Sequence, residues 1–254
     1  MPHLFSDEAI VLRTYNVGET DRFCILLTKE HGKIVARAQG VRRLTTRRGS
    51  GLLPLHRTAI TVEKHSFGCT ISHAQCLSSF RETWNDASAF GAAHRGIELL
   101  LKLTEEGVPL VDVYELSVDF LSACHASGQG VFPSALVPLF SLKLLDLFGL
   151  LPSVHLSCVS HVRLSADDVV YSSTRGGFCA HREDSSGFRL SPSAYHILRS
   201  LDRCVLSNVR PCDARMVDEL DRLVQGFVGS QLGASLLAPP VSVAITSGVT
   251  PICQ

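Results

Sequence analysis

Lys33-Ile34-Val35-Ala36-Arg37-Ala38-Gln39 puts Ile34, Ala36 and Ala38 on one side of an extended chain and Lys33, Val35, Arg37 and Gln39 on the other. That two-residue period belongs to a half-buried strand, because successive side chains of extended backbone point to opposite faces. Gly40 ends the run, and Glu30-His31-Gly32 turns the chain into it from another β-rich run at 22–28. Upstream, residues 9–15 are again rich in strand formers and are broken by Asn16-Val17-Gly18. Downstream, 59–65 and 69–77 flank the turn Ser66-Phe67-Gly68 and read as a hairpin. Five short strands in so little chain predict a small closed barrel, since closure removes the unpaired edges that short strands would expose.

Beyond Thr83 the period lengthens. Phe90, Ile97, Leu100, Leu101 and Leu103 recur near helical spacing, and Gly107 with Pro109 marks a stop. A second helix is expected over 109–124. A third, over 133–150, is apolar almost all round, with Lys143 and Asp146 its only charges, and a helix of that kind is enclosed by others. Residues 153–191 lose periodicity and read as an irregular, knuckle-like insertion. Helical spacing returns over 192–206 and 211–237, and 238–254 reads as a loose tail. The expected class is α+β, with a barrel domain over 1–80 followed by an all-helical domain over 81–237 that carries the insertion.

Composition narrows the function. Of 254 residues, 45% are hydrophobic and 19% charged, enough apolar material for a core and too little charge for a disordered chain. No apolar run reaches the ~18 residues of a membrane span, and the start lacks the basic and apolar segments of a signal peptide. Nine cysteines, an odd number scattered through a sizeable chain, suit free thiols in a reducing compartment; a cytoplasmic location is expected.

The formal net charge of zero hides a split. Residues 1–80 hold eleven basic against six acidic residues, a net of +5, and the remainder thirteen against eighteen, a net of −5. The basic excess gathers in Arg42-Arg43-Leu44-Thr45-Thr46-Arg47-Arg48, directly after the strand that displays Lys33 and Arg37. Such a strand and loop can lay guanidinium groups along phosphates, with affinity from counterion release and no base specificity. The plainer alternative is a solvated loop. Aromatic rings are sparse in this half. Phe5, Phe23, Phe67 and Phe80 read as core, and Tyr15, at a strand end beside a glycine turn, is the best candidate for base stacking. Trp84 and the thiols Cys24, Cys69 and Cys76 read as packing residues.

A metal question arises at Cys158-Val159-Ser160-His161 and Cys179-Ala180-His181. Two pairs of soft ligands, 17 residues apart, approximate a paired zinc knuckle. The second pair is one residue tight, which places its side chains on opposite sides of an extended backbone. His155 is a substitute ligand, and the alternative is a knuckle-shaped turn held without metal. No Walker phosphate loop, dinucleotide glycine fingerprint, G-x-S-x-G elbow or H-E-x-x-H helix occurs, so nothing joins the histidines and serines into a catalytic group, and no enzymatic activity is expected.

Glu8-Ala9-Ile10-Val11-Leu12-Arg13-Thr14, then Gly18-Glu19-Thr20-Asp21-Arg22, then Leu27-Thr28-Lys29-Glu30-His31-Gly32-Lys33, and finally Gly40-Val41-Arg42-Arg43 together resemble the N-terminal signature of the RecO recombination-repair family. A second match runs from Leu144-Leu145-Asp146-Leu147-Phe148-Gly149-Leu150-Leu151-Pro152 into Cys158 and His161, followed by Gly176-Gly177 and Cys179. The resemblance implies an OB-fold barrel, a helical domain and, in some members, a four-cysteine zinc knuckle. Here His161 and His181 stand near two of those cysteines, so a structural zinc ion on Cys158, His161, Cys179 and His181 is an open question. The resemblance also implies binding of single- and double-stranded DNA, annealing of complementary strands, and work with RecR to load RecA onto DNA coated by single-strand binding protein, whose acidic tail docks on the helical domain. Candidate DNA contacts are Arg13, Arg22, Lys33, Arg37, Arg42, Arg43, Arg47 and Arg48. The rival readings are a protein-interaction scaffold whose barrel binds no DNA, and a hydrolase built from scattered residues.

Overall fold

The computed structural model describes residues 3–42, 51–66, 68–126, 133–209 and 213–232. Five strands, β1 (His3–Val17), β2 (Asp21–Thr28), β3 (Gly32–Ala38), β4 (Arg57–His65) and β5 (Gly68–Ser78), form a closed barrel in the order β1-β2-β3-β5-β4. Closure is possible because β1 is long enough to serve two neighbours: His3 to Ile10 pair with β4, and Ala9 to Val17 pair with β2. All pairings are antiparallel except β3 with β5, which run parallel through Ala36–Cys69 and Arg37–Thr70. The interior is filled by Ala9, Val11, Cys24, Leu26, Ile34, Ala36, Ile60 and Val62, a mixture of small and branched residues that suits a narrow barrel.

The alternation read from 33–39 is present: Ile34, Ala36 and Ala38 are buried, and Val35 and Arg37 are exposed. In β1 the alternation is broken on purpose. The register with β2 shifts between Val11 and Arg13, leaving Leu12 as an extra residue. This bulge lets Leu12 and Arg13 both face outward, as bulges re-aim the side chains that follow them.

The helical part packs on that outer face. Ile10, Leu12, Leu27, Leu55 and Phe80 belong to the same buried cluster as residues of α1 (Ala87–Leu103), α2 (Val111–His125) and α3 (Pro133–Leu147). Asp86 caps α1 by accepting from the Ser88 and Ala89 amides at 2.8 and 3.3 Å. Gly96 is required where α1 meets α2, since a Cβ there would lie 2.2 Å from the Phe120 ring. As its composition predicts, α3 is sheathed on nearly every side, packing against α1, α2 and α5 (Ala214–Leu232).

Polar contacts lock barrel to helices. Lys33 Nζ donates to the carbonyl oxygens of Leu101, at 3.0 Å, and Thr104, capping the C-terminal end of α1, where the helix dipole favours a cation. Arg13 pairs with Glu98 of α1 and Lys29 with Glu115 of α2, the latter at 2.6 Å. Glu8 accepts from Arg57 at 2.5 Å and from the Tyr114 hydroxyl at 3.3 Å. Burial pushes that phenol up to about 12. Gly32 has φ of 71° and lies so close to Val108 that a Cβ would sit 2.0 Å from its carbonyl oxygen, so both conformation and space demand glycine.

The insertion differs from its expected irregular form. Residues 169–189 hold a three-stranded sheet in the order β7-β6-β8, with β6 Val169–Ser172, β7 Gly177–Ala180 and β8 Phe188–Arg189. Strands of four, four and two residues are too short to show a period in sequence. The sheet is anchored by Tyr171 and Phe178, whose rings meet Phe227 of α5 at 4.4 and 5.8 Å. α4 (Pro192–Arg199) and two short 3-10 turns lead to α5. The expected tail at 238–254 lies outside the described residues.

Candidate nucleic-acid interface

Cross-strand register decides which side chains share the barrel's outer surface, because residues directly opposite each other in an antiparallel pair point to the same face. Tyr15 is opposite Phe23, and Phe23 is opposite Arg37. These three side chains therefore form a row across β1, β2 and β3. The next row along the same face is Arg13, Ile25 and Val35. Tyr15 is 48% exposed, and Val35 of the second row and Val17 beside the first are also exposed. Phe23 is half-buried on the outside, not in the core as its apolar strand suggested. The readable signal is its place in β2, where 23, 25 and 27 alternate with the inward-facing Cys24 and Leu26.

The basic residues expected to bind DNA occupy three situations. Arg37, at the exposed end of the row, donates from Nε and Nη2 to Asp21 Oδ2 at 2.9 and 2.5 Å. Asp21 also accepts from the Gly40 amide and the Thr20 hydroxyl, both at 2.9 Å. The Gly40 amide foremost, then Arg37 and Thr20, hold this carboxylate down at about 2. Arg22 and Arg42 sit at the same end of the barrel: Arg22 donates to the Leu52 carbonyl at 3.0 Å and Arg42 to the Gly18 carbonyl at 2.9 Å. Both are cations bonded to neutral oxygens, so their charge is not cancelled there. Arg13 and Lys33 lie toward α1, in the ion pair and helix cap already described. Arg43, Arg47 and Arg48 fall outside the described residues. Tyr15, Phe23, Arg22, Arg37 and Arg42 thus share one end of the barrel, the end from which the arginine stretch departs.

A family model described as "Recombination protein O N terminal" matches residues 1–80, and one described as "Recombination protein O C terminal" matches 85–238. The chain belongs to the RecO family. Proteins named DNA repair protein RecO are 34% identical in Heliobacterium modesticaldum over 207 residues (78% of this chain, 73% of that one) and 30% identical in a Nocardioides species over 238 residues (92% and 96%). One from Bifidobacterium longum subsp. infantis is 31% identical over 222 residues, covering 86% of this chain and 90% of its own.

The RecO resemblance raised a zinc knuckle on Cys158, His161, Cys179 and His181, and the structure does not gather these four side chains into one group. Among the described residues, no group of three or more His, Cys, Asp or Glu side chains is gathered closely enough to hold a metal ion. Cys158 is exposed, whereas Cys179 is buried and its thiol pushed up to about 11, first by that burial and next by the neighbouring Cys158. His161 sits in the left-handed region with φ of 57°. His181 Nδ1 is buried without a hydrogen-bond partner among the described residues. What joins the two turns is a carboxylate. Glu183 accepts from the Ser157 hydroxyl at 2.6 Å and from the Ala180 amide at 3.0 Å, and Cys158 N donates to the Phe178 carbonyl at 2.8 Å. Hydrogen bonds thus join the two turns. The described cysteines, Cys24, Cys69, Cys76, Cys124, Cys158, Cys179 and Cys204, are free thiols. No described helix is long and apolar enough to cross a membrane.

Proposed function

We propose that this chain is a DNA-binding recombination mediator in repair, which binds and anneals single-stranded DNA and helps RecR load RecA. The observation that carries the reading is the Tyr15–Phe23–Arg37 row, in register on one outer face at the end of the barrel where the arginine stretch begins. A ring for stacking beside cations for phosphates is the usual equipment of a single-strand binder. The strand order β1-β2-β3-β5-β4, closed on β1, supports reading residues 1–80 as an OB-fold domain and 81–237 as the partner-binding domain.

Arg22, Arg37 and Arg42, with Arg43, Arg47 and Arg48 in the adjoining stretch, neutralise phosphates. Arg13 and Lys33 border this surface and hold its edge against α1. Annealing follows from electrostatics: two strands repel each other less on a cationic surface that is indifferent to base identity. No bond is made or broken. The acidic tail of single-strand binding protein is assigned to the helical domain. A groove of about 630 Å³ between α3, α4 and α5, with Leu139, Ile197 and Met216 on its walls, suits the apolar side chains of such a tail; Arg215 stands beside Asp213 and Glu219, whose carboxylates accept from backbone amides.

The test is the pairing rate of complementary single strands, followed by a donor–acceptor dye pair. This reading expects the protein to accelerate pairing and expects the acceleration to vanish when Arg37 and Arg42 are both changed to Glu. An unaccelerated rate, with no complex on single-stranded DNA at low salt, rejects it in favour of a protein-only scaffold.

A further inference from the structure

We propose that single-stranded DNA held on the barrel continues along α1, with bases stacked on Trp84 and Phe90; this rests on the DNA-binding reading above. An unbroken line of side chains leads there. Arg13 Nη1 donates to the Tyr15 hydroxyl at 3.3 Å, and Arg13 pairs with Glu98. Glu98 faces His94 Nε2 at 3.7 Å. The His94 ring lies parallel to that of Phe90, 6.2 Å between centroids and 10° between planes, and Phe90 is 5.1 Å from Trp84.

Glu98, His94 and Phe90 are four residues apart on α1 and so share one side of the helix. Eight residues of helix cover about 12 Å, room for about three or four stacked nucleotides at 3.4 Å each. The line therefore joins the Tyr15–Phe23–Arg37 row to the 3-10 turn Arg81–Asn85, which holds Trp84.

Trp84, expected in the core, is 47% exposed. An indole left half in water, resting on a second ring, offers a stacking surface that the interior does not use. The carboxylates along the strip are each engaged from within the protein, so the rings are left as its binding feature: Glu98 is matched by Arg13 and faced by His94, Asp86 is engaged by two helix amides, Glu82 meets His125 Nε2 at 3.0 Å, and the exposed Arg81 opens the turn. A duplex keeps its bases stacked on one another and gains nothing from free rings, so the strip selects single strands.

Trp84 is the sole tryptophan, which makes the full-length protein its own reporter. Titrated with oligothymidine, tryptophan emission should be quenched with the same midpoint as binding measured by anisotropy of a labelled strand, and acrylamide should reach the indole less. Trp84→Ala should weaken single-strand binding about tenfold, or about 1.4 kcal/mol, and leave duplex binding within about twofold, while Trp84→Phe restores the single-strand affinity. DNA that binds with emission and acrylamide access unchanged overturns the stacking strip alone. Absence of binding in the anisotropy channel overturns the underlying DNA-binding reading as well.

Discussion

Asp21 holds Arg37 by two hydrogen bonds to one carboxylate oxygen, at 2.9 Å from Nε and 2.5 Å from Nη2, and its other oxygen ties down the Gly40 amide. One acidic residue thus fixes the end of β3 at the point where the arginine stretch departs, and it does so inside a surface read as phosphate-binding. A guanidinium has five N–H groups, so Arg37 can meet a phosphate while Asp21 keeps it aimed.

Asp21→Asn should therefore raise affinity for single-stranded DNA by roughly two- to fivefold at low salt, because a repelling charge goes, and lower the melting temperature, because the Gly40 and Arg37 contacts weaken. The pH dependence has a definite sign. Asp21 is held at about 2 against an ordinary 3.8, so its stabilising contribution is whole above the ordinary value and is lost as pH falls through that window. Urea melts at a series of pH values should show the native protein losing more stability than Asp21→Asn between pH 3.8 and about 2; parallel losses contradict the role given to this carboxylate.

Lys33→Met removes a cation from the C-terminal end of α1 and should cost about 1–2 kcal/mol of folding stability. Since Lys33 is occupied by the Leu101 and Thr104 carbonyls, DNA affinity of the folded variant should change by less than about twofold, below the ~tenfold effect of a lost stacking or charge contact. Denaturant melts and anisotropy titrations on one preparation check both halves. Unchanged stability with strongly weakened binding reverses the assignment and makes Lys33 a phosphate contact.

Tyr15→Ala tests the row on the barrel. The ring is half in water and outside the core, so stability should move little, whereas single-strand affinity should fall by about five- to tenfold, within the usual range for one stacked base. Tyr15→Phe should bind like the native protein. Equal affinities for all three proteins remove stacking from this surface.

Metal removal should do nothing. With Glu183 joining the Ser157 and Ala180 turns, melting curves with and without a strong chelator should overlay, and elemental analysis should find far less than one zinc ion per chain. One tightly held zinc with a chelator-induced drop in melting temperature contradicts the hydrogen-bonded knuckle.

The strand of 33–39 was legible because burial on one face alone imposes a period of two, and the apolar circumference of α3 was legible because only enclosure tolerates it. The Leu12 bulge was not, since Ile10, Val11 and Leu12 are all apolar and composition does not say which one the ladder skips. Arg13 and Lys33 read like the other basic residues, yet their partners, Glu98 and the end of α1, come from 85 and about 70 residues away. Pairing at that range is a property of the folded chain. Trp84 and Phe23 show the same limit for apolar residues: composition favours the interior, and only the register of β2 and the path of the 3-10 turn bring them outside.

The salt dependence of single-strand affinity tests the central claim most directly. Each phosphate neutralised contributes about −0.7 to the slope of log affinity against log salt, so four to six contacts predict a slope of about −3 to −4 for the native protein. Changing Arg42, Arg43, Arg47 and Arg48 to Glu should flatten the slope to about −1 or less and cost about a hundredfold or more at low salt, with the melting curve unchanged. A variant that keeps both the native slope and the native affinity contradicts the claim that this end of the barrel grips DNA by charge.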